Sequence, residues 1–170
     1  MSTIDDTVQR LVAARRHGQA ATASSVPLAV AGAAYAVQAG VGRALGWFAD
    51  VPEGSAPGHW KSGGPSRQAT LTHAPLPPHG VWNSPADASK WPFHLRGIEA
   101  EVALRIARDV DADRAASLDL AAATQLVDAM CVSIELVDSR WTEGLEAPGL
   151  AKLADLQSHG ALVLGEWQPF

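Results

Sequence analysis

From Ile98 to Ile106 the chain alternates without a break. Ile98, Ala100, Val102, Leu104 and Ile106 fall on one side; Glu99, Glu101, Ala103 and Arg105 fall on the other. A period of two is that of a strand, whose successive side chains point to opposite faces. A helix would scatter both sets around its circumference. A strand this long needs partners, so the fold must contain a sheet. Val132 to Val137, closing on Asp138-Ser139-Arg140, supplies a second strand, and Ala161 to Gly165 a short third. Between the first two, a helix capped by Ser117 or Asp119 is expected to carry Leu120, Ala123, Leu126, Val127 and Met130.

The N-terminal part reads differently. Ile4, Val8, Leu11 and Val12 share one face of a helix from Asp5 to about His17, with Ser2 or Thr3 as its cap. A second helix is expected from about Ala29 to Leu45, with Ala34, Val37, Gln38 and Val41 along one side and Gly46 ending it. Val51 to Gly97 then holds eight of the 11 prolines. Regular helix cannot persist at that density, so loops and short strands are expected there. A loop region this long inside a compact domain is usually functional. Trp47, Trp60, Trp82 and Trp91 read as loop packing; His59, His73, His79 and His94 lack metal-ligand spacing, though His94 stands close before the alternating strand.

With 170 residues the chain fits a single domain, divided into a helical segment over 1–50 and a β-rich part over 51–170. The net charge is −5 and no Lys/Arg cluster stands out, which argues against a nucleic-acid partner. The Ala/Gly-rich run from Val26 to Val41 is too short for a membrane span. The acidic start, Asp5-Asp6, is unlike a signal peptide. A single cysteine, Cys131, forms no internal disulfide and reads as a small core side chain. A cytoplasmic location is the expectation.

Glu99 and Glu101 project from the same face of one strand, and Glu135 sits among apolar neighbours in the next. Like charges so placed repel, and a free carboxylate between Ile134 and Leu136 is costly to bury. A hard cation such as Mg²⁺ or Mn²⁺, which prefers carboxylate oxygens, would account for all three. On spacing alone such a pair is more often a solvated outer face, here with Arg105 neutralising Glu101.

The sequence resembles the hydratase/decarboxylase branch of the fumarylacetoacetate hydrolase family, which includes 2-keto-4-pentenoate hydratases. The matching blocks run in family order: Ala34-Tyr35-Ala36-Val37-Gln38, His59-Trp60-Lys61-Ser62-Gly63-Gly64, Ile98 to Ala103, Ile134 to Arg140, and Ala154-Asp155 leading to Val163-Leu164-Gly165. The resemblance implies an α+β, strand-rich mixed fold with N-terminal and peripheral helices, and a catalytic domain that binds metal. It implies Glu99, Glu101 and Glu135 as ligands of Mg²⁺ or Mn²⁺ and Lys61 as the active-site lysine. Asp138 and Arg140 are then candidates for orienting Glu135, and Asp155 for a supporting contact. The chain departs from the family pattern at Ser62-Gly63-Gly64-Pro65-Ser66 and at Leu156, where Asn is usual. The family also continues past the equivalent of Phe170, so the C-terminal part of the fold is expected to be missing.

The activity implied is that of a lyase on small 2-oxo acids, hydrating a 2-hydroxydienoate-type substrate through a metal-stabilised enolate, with Lys61 moving the proton. Decarboxylation of an oxalocrotonate-type acid, hydrolysis of an acylpyruvate, and a non-catalytic subunit are the alternatives. The hydrolytic branch uses a His-Glu dyad, and no close His-x-x-Glu spacing occurs in the N-terminal half. Lys152-x-x-Asp155 resembles an element of that branch, although a solvated helix face explains it as well. A homo-oligomer is expected, or an assembly with a related decarboxylase or hydratase.

Overall fold

The computed structural model describes residues 2–52, 55–64 and 66–170. Glu53, Gly54 and Pro65 of the proline-dense stretch lie outside the described residues, as does Met1.

Two helices open the chain. Helix α1 spans Thr3–His17; Ser2 caps it in a reciprocal capping box with Asp5, and Gly18 ends it in the left-handed region at φ 68°. Helix α2 spans Ala31–Leu45 and ends the same way at Gly46, φ 67°. Leu11, Ala34, Val37 and Val41 bury against Trp141 and Leu153, the latter from a short C-terminal helix. Gln38 lies inside this apolar stripe because its Nε2 donates to the Leu153 carbonyl (2.5 Å) and the His73 carbonyl (3.3 Å). A buried amide with partners ties three segments together, whereas an unpaired one would be costly.

The proline-dense stretch forms β1 (Trp60–Gly63) antiparallel to β2 (Thr72–Pro75), then β3 (Val81–Asn83). The alternating run is β4 (Gly97–Ile106), followed by α3 (Ala112–Ser117), α4 (Leu120–Thr124), β5 (Val127–Val137), α5 (Gly149–Ala154), β6 (His159–Leu164) and β7 (Gln168–Pro169). The main sheet has the order β3-β6-β5-β4, with β7 also on β5; only β3–β6 is parallel among these pairs. The architecture is α+β and strand-rich, with helices at the N-terminus and periphery, as the sequence led us to expect. No helix among the described residues is long and apolar enough to cross a membrane.

One expectation is corrected. The helix capped by Asp119 stops at Thr124, and Val127 and Met130 belong to β5, which begins five residues before Val132. Pairing explains this: β4 offers a ladder down to Ile106, and Met130 sits opposite Leu104 within it. The backbone groups of 127–131 are satisfied there rather than in a helix. The structure also settles which faces are covered, a point that alternation leaves open. The aliphatic side of β4 and β5 is the solvent side, with Ile98 71%, Val102 59% and Val132 69% exposed, while Glu101, Ser133 and Glu135 turn inward. Apolar-in, polar-out is inverted, so Glu101 and Glu135 are sheltered, while Glu99 stays exposed.

The loop after α1 is fixed to the turn after β5. Ala21 and Trp141 form a bridge, and Glu143 accepts from the backbone N–H of Ala23 (2.9 Å) and Ser24 (3.1 Å). Those backbone donors hold the Glu143 carboxyl down at about 2. A depressed folded-state value means its stabilisation is complete above about 4.5 and fades as the pH falls through about 2. Glu143→Ala is expected to lower Tm by about 2–4 °C at pH 7, from roughly 1 kcal/mol of lost hydrogen bonding. Melting curves across pH should show that deficit closing between those limits; a deficit that persists at pH 2 would contradict this.

Candidate metal centre

The register of β4 on β5 sets Glu99 directly opposite Glu135 and Glu101 opposite Ser133. All three glutamates lie on the inward face, and one carboxylate oxygen from each falls within 4.8 Å of the others. Glu99 is exposed at the rim, Glu101 is half-buried, and Glu135 is 1% exposed at the base. Like charges directly across a ladder are destabilising unless a cation intervenes.

Strand β1 delivers one such cation. The Lys61 Nζ donates to both oxygens of Glu135, at 2.7 and 2.5 Å, and to the Gln157 carbonyl at 3.3 Å. Thr72 on β2, whose Oγ1 accepts from Gln157 Nε2 at 2.6 Å, anchors the β1–β2 pair to the same turn. His159, at the start of β6, places Nδ1 2.8 Å from Glu135 Oε1. Burial alone would raise the Glu135 carboxyl, but the bond from His159 and the Lys61 charge outweigh it and hold it below its ordinary value. Glu101 goes the other way: burial, then the Glu135 charge, raise it, and Lys61 only partly offsets them. Three carboxylates facing one ammonium leave negative charge uncancelled. That surplus, and an all-oxygen donor set, fit a hard divalent cation.

Two cavities meet at this point. One, of about 330 Å³, is walled by Trp60, Leu162, Leu164 and Trp167, with Lys61, Glu101, Glu135 and His159 contributing polar groups. The other, of about 860 Å³, takes in Lys61, Glu99, Glu101, Lys152, Gln157 and Ser158. Lys61 and Glu101 belong to both. Volumes in this range hold small organic ligands.

Of the residues singled out in the sequence, Lys61, Glu99, Glu101 and Glu135 come together. Asp138 and Arg140 form an ion pair (3.2 Å), yet neither is bonded to Glu135. Asp138 accepts from the backbone of His94 and Leu95, and Arg140 binds Asp155 and the His159 carbonyl. Asp155 is wholly buried beneath Arg15 and Arg140. Arg105 does not neutralise Glu101; it pairs with Asp128 across the ladder at 2.8 Å. Lys152 donates to the Leu145 carbonyl rather than to Asp155, and His94 turns to Asp138. Sequence reasoning missed His159, whose local setting, Ser158-His159-Gly160, carries no metal or catalytic pattern. Only the β5–β6 register brings it to Glu135. Gly160 permits that approach, because a Cβ there would lie 2.5 Å from the Leu136 carbonyl oxygen.

No family model matches this sequence, and no curated protein matches it in sequence. The fold does have solved counterparts. A 4-oxalocrotonate decarboxylase from Pseudomonas putida G7, complexed with calcium and acetate, superposes with a TM-score of 0.73 at 17% identity over 95% of this chain. The same enzyme complexed with magnesium and adipate gives 0.73 at 16% identity, also over 95%. The fold of this chain is therefore that of 4-oxalocrotonate decarboxylase. The chain spans about three fifths of those proteins, 61% and 62% of their length.

Proposed function

We propose that this chain is a divalent-metal-dependent lyase of the fumarylacetoacetate hydrolase type that acts on small 2-oxo acids, with hydration of a 2-hydroxydienoate as the leading reaction. The observation that carries the proposal is the convergence of Glu99, Glu101 and Glu135 within 4.8 Å, with Lys61 against them. A fold shared with a decarboxylase solved with calcium and with magnesium supports it. Mg²⁺ or Mn²⁺, held by those three carboxylates, would act as a Lewis acid toward the enolate of a 2-oxo acid. The chain's own groups do the rest. Lys61 Nζ, at the junction of both cavities, holds the proton exchanged with the substrate carbon. Trp60, Leu162, Leu164 and Trp167 form an apolar wall that limits bulk water. Glu135 keeps Lys61 in place.

Decarboxylation is the second reading, favoured because the solved counterparts are decarboxylases. Assays with 2-hydroxypenta-2,4-dienoate, an oxalocrotonate-type acid and acylpyruvates, each with added Mg²⁺ or Mn²⁺, separate the outcomes. Turnover of the dienoate supports hydration, loss of CO₂ from the dioic acid supports decarboxylation, and turnover of acylpyruvates alone would overturn both. Absence of both turnover and metal binding would mark a non-catalytic subunit. Lys61→Met is expected to lower kcat by about 10²–10⁴-fold, the scale of a lost general acid–base. Its Mn²⁺ affinity should be equal or tighter, because an ammonium leaves the carboxylates. Weaker Mn²⁺ binding in this variant would contradict the role given to Lys61.

A further inference from the structure

The turn between α5 and β6 is built at unusual local cost. Leu156, Gln157 and Ser158 follow one another in the left-handed region, with φ of 54°, 54° and 61°, and none is glycine. For residues with a Cβ this backbone conformation is unfavourable. The same segment buries three polar atoms that have no hydrogen-bond partner among the described residues: Gln157 Oε1, Ser158 Oγ and His159 Nε2. Strain and unpaired polar groups persist together where the surroundings over-determine the conformation, and such places cluster at functional sites.

The surroundings here are specific. The Arg140 Nη2 donates to the His159 carbonyl at 2.7 Å, and Arg140 is itself clamped by Asp155 at 2.8 Å. The Ser158 carbonyl accepts from the Asp138 N–H at 2.8 Å, joining the turn to the end of β5. Held this way, the turn delivers two groups to the glutamate cluster: the Gln157 carbonyl to Lys61, and the His159 ring to Glu135. Because a carboxylate only accepts, the proton lies on Nδ1 and the donor is His159.

We infer that His159 is a positioning residue: its Nδ1–H, fixed by the left-handed turn and the Arg140–Asp155 clamp, sets the orientation in which Glu135 faces Lys61, Glu99 and Glu101. Asp138 and Arg140 thus act on the cluster through the His159 backbone and not on Glu135 itself. The inference rests on the metal reading for its consequence, while its geometric content is independent of it. Ligand-supporting hydrogen bonds of this kind are typically worth 10–100-fold in metal affinity.

The test compares His159→Leu with His159→Asn, whose side-chain amide can donate from nearly the position of Nδ1. Mn²⁺ binding is measured by calorimetry on variants whose circular dichroism matches the parent. His159→Leu is expected to weaken binding by about 10–100-fold and His159→Asn by less than threefold. Equal losses in both, or none in either, would overturn the inference. Crystal structures of both variants give a readout independent of metal. The Glu135 carboxylate should rotate away from Lys61 in His159→Leu and stay in His159→Asn; an unmoved carboxylate in His159→Leu would sink the inference even if the parent binds no Mn²⁺. Failure of the parent to bind Mn²⁺ would instead sink the metal reading.

Discussion

Replacing Glu135 with glutamine is expected to abolish measurable Mn²⁺ binding, by more than about 100-fold, and turnover with it. The substitution removes one of three carboxylates and the sole one that is fully buried, at 1% exposed. It also leaves the Lys61 ammonium, whose side chain is 14% exposed, without the ion pair that Glu135 provides. Removing one partner of a buried pair costs about 3–5 kcal/mol. Lys61 can swing toward Glu101 or solvent, so the lower end of that range is expected. Glu99→Gln is the contrast: Glu99 sits exposed at the rim, so affinity should fall while stability stays within about 0.5 kcal/mol. Calorimetric titration paired with urea unfolding checks both. Retention of tight Mn²⁺ binding by Glu135→Gln would remove Glu135 from the ligand set.

The largest loss of stability is expected from Asp155→Ala. Asp155 has no exposed surface and accepts from Arg15 Nη2 (2.8 Å), from the Arg140 backbone (2.9 Å) and from Arg140 Nε (2.8 Å). Burial, then the neighbouring Arg140 charge, already push Arg15 down to about 9, so Arg15 still carries its charge near neutrality, close to the Arg140 guanidinium. Without the carboxylate they face each other inside the protein. A cost of about 3–5 kcal/mol follows, against a typical total of about 5–15 kcal/mol. Tm should drop by roughly 6–20 °C, and the turn carrying His159 should loosen because Arg140 loses its anchor. A Tm within about 2 °C of the parent would show that the buried network contributes little.

What the sequence made legible follows from how local each signal is. Helix α1 carries its cap at Ser2, its apolar stripe and its terminating Gly18 within one stretch, so its limits could be read directly. The alternation of 98–106 identified β4 for the same reason. The face that β4 buries could not be read that way, because period two says which residues share a side and nothing about which side is covered. Here the cost of sheltering Glu101 and Glu135 is offset by Lys61, which arrives from β1 after a long intervening segment. The helix drawn through Met130 failed on pairing, since an Ala-rich run ahead of Val127 suits a helix until β4 offers a ladder. Spacing and resemblance together single out Glu99, Glu101 and Glu135, and the β4–β5 register brings their carboxylates together. His159 was invisible, because its partner is fixed by β5–β6 register and by a left-handed turn that no residue in Leu156-Gln157-Ser158 announces.

The proposed chemistry requires one divalent ion among the three glutamates of β4 and β5. Crystals grown with Mn²⁺ and oxalate, a stand-in for the carboxylate and keto oxygens of a 2-oxo acid, test it through the anomalous signal of manganese. A single strong peak is expected, bonded to oxygens of Glu99, Glu101 and Glu135 at about 2.1–2.2 Å, slightly longer than magnesium distances, with Lys61 beside the oxalate. A peak elsewhere, or none among these carboxylates while Lys61 still bridges Glu135, would contradict it.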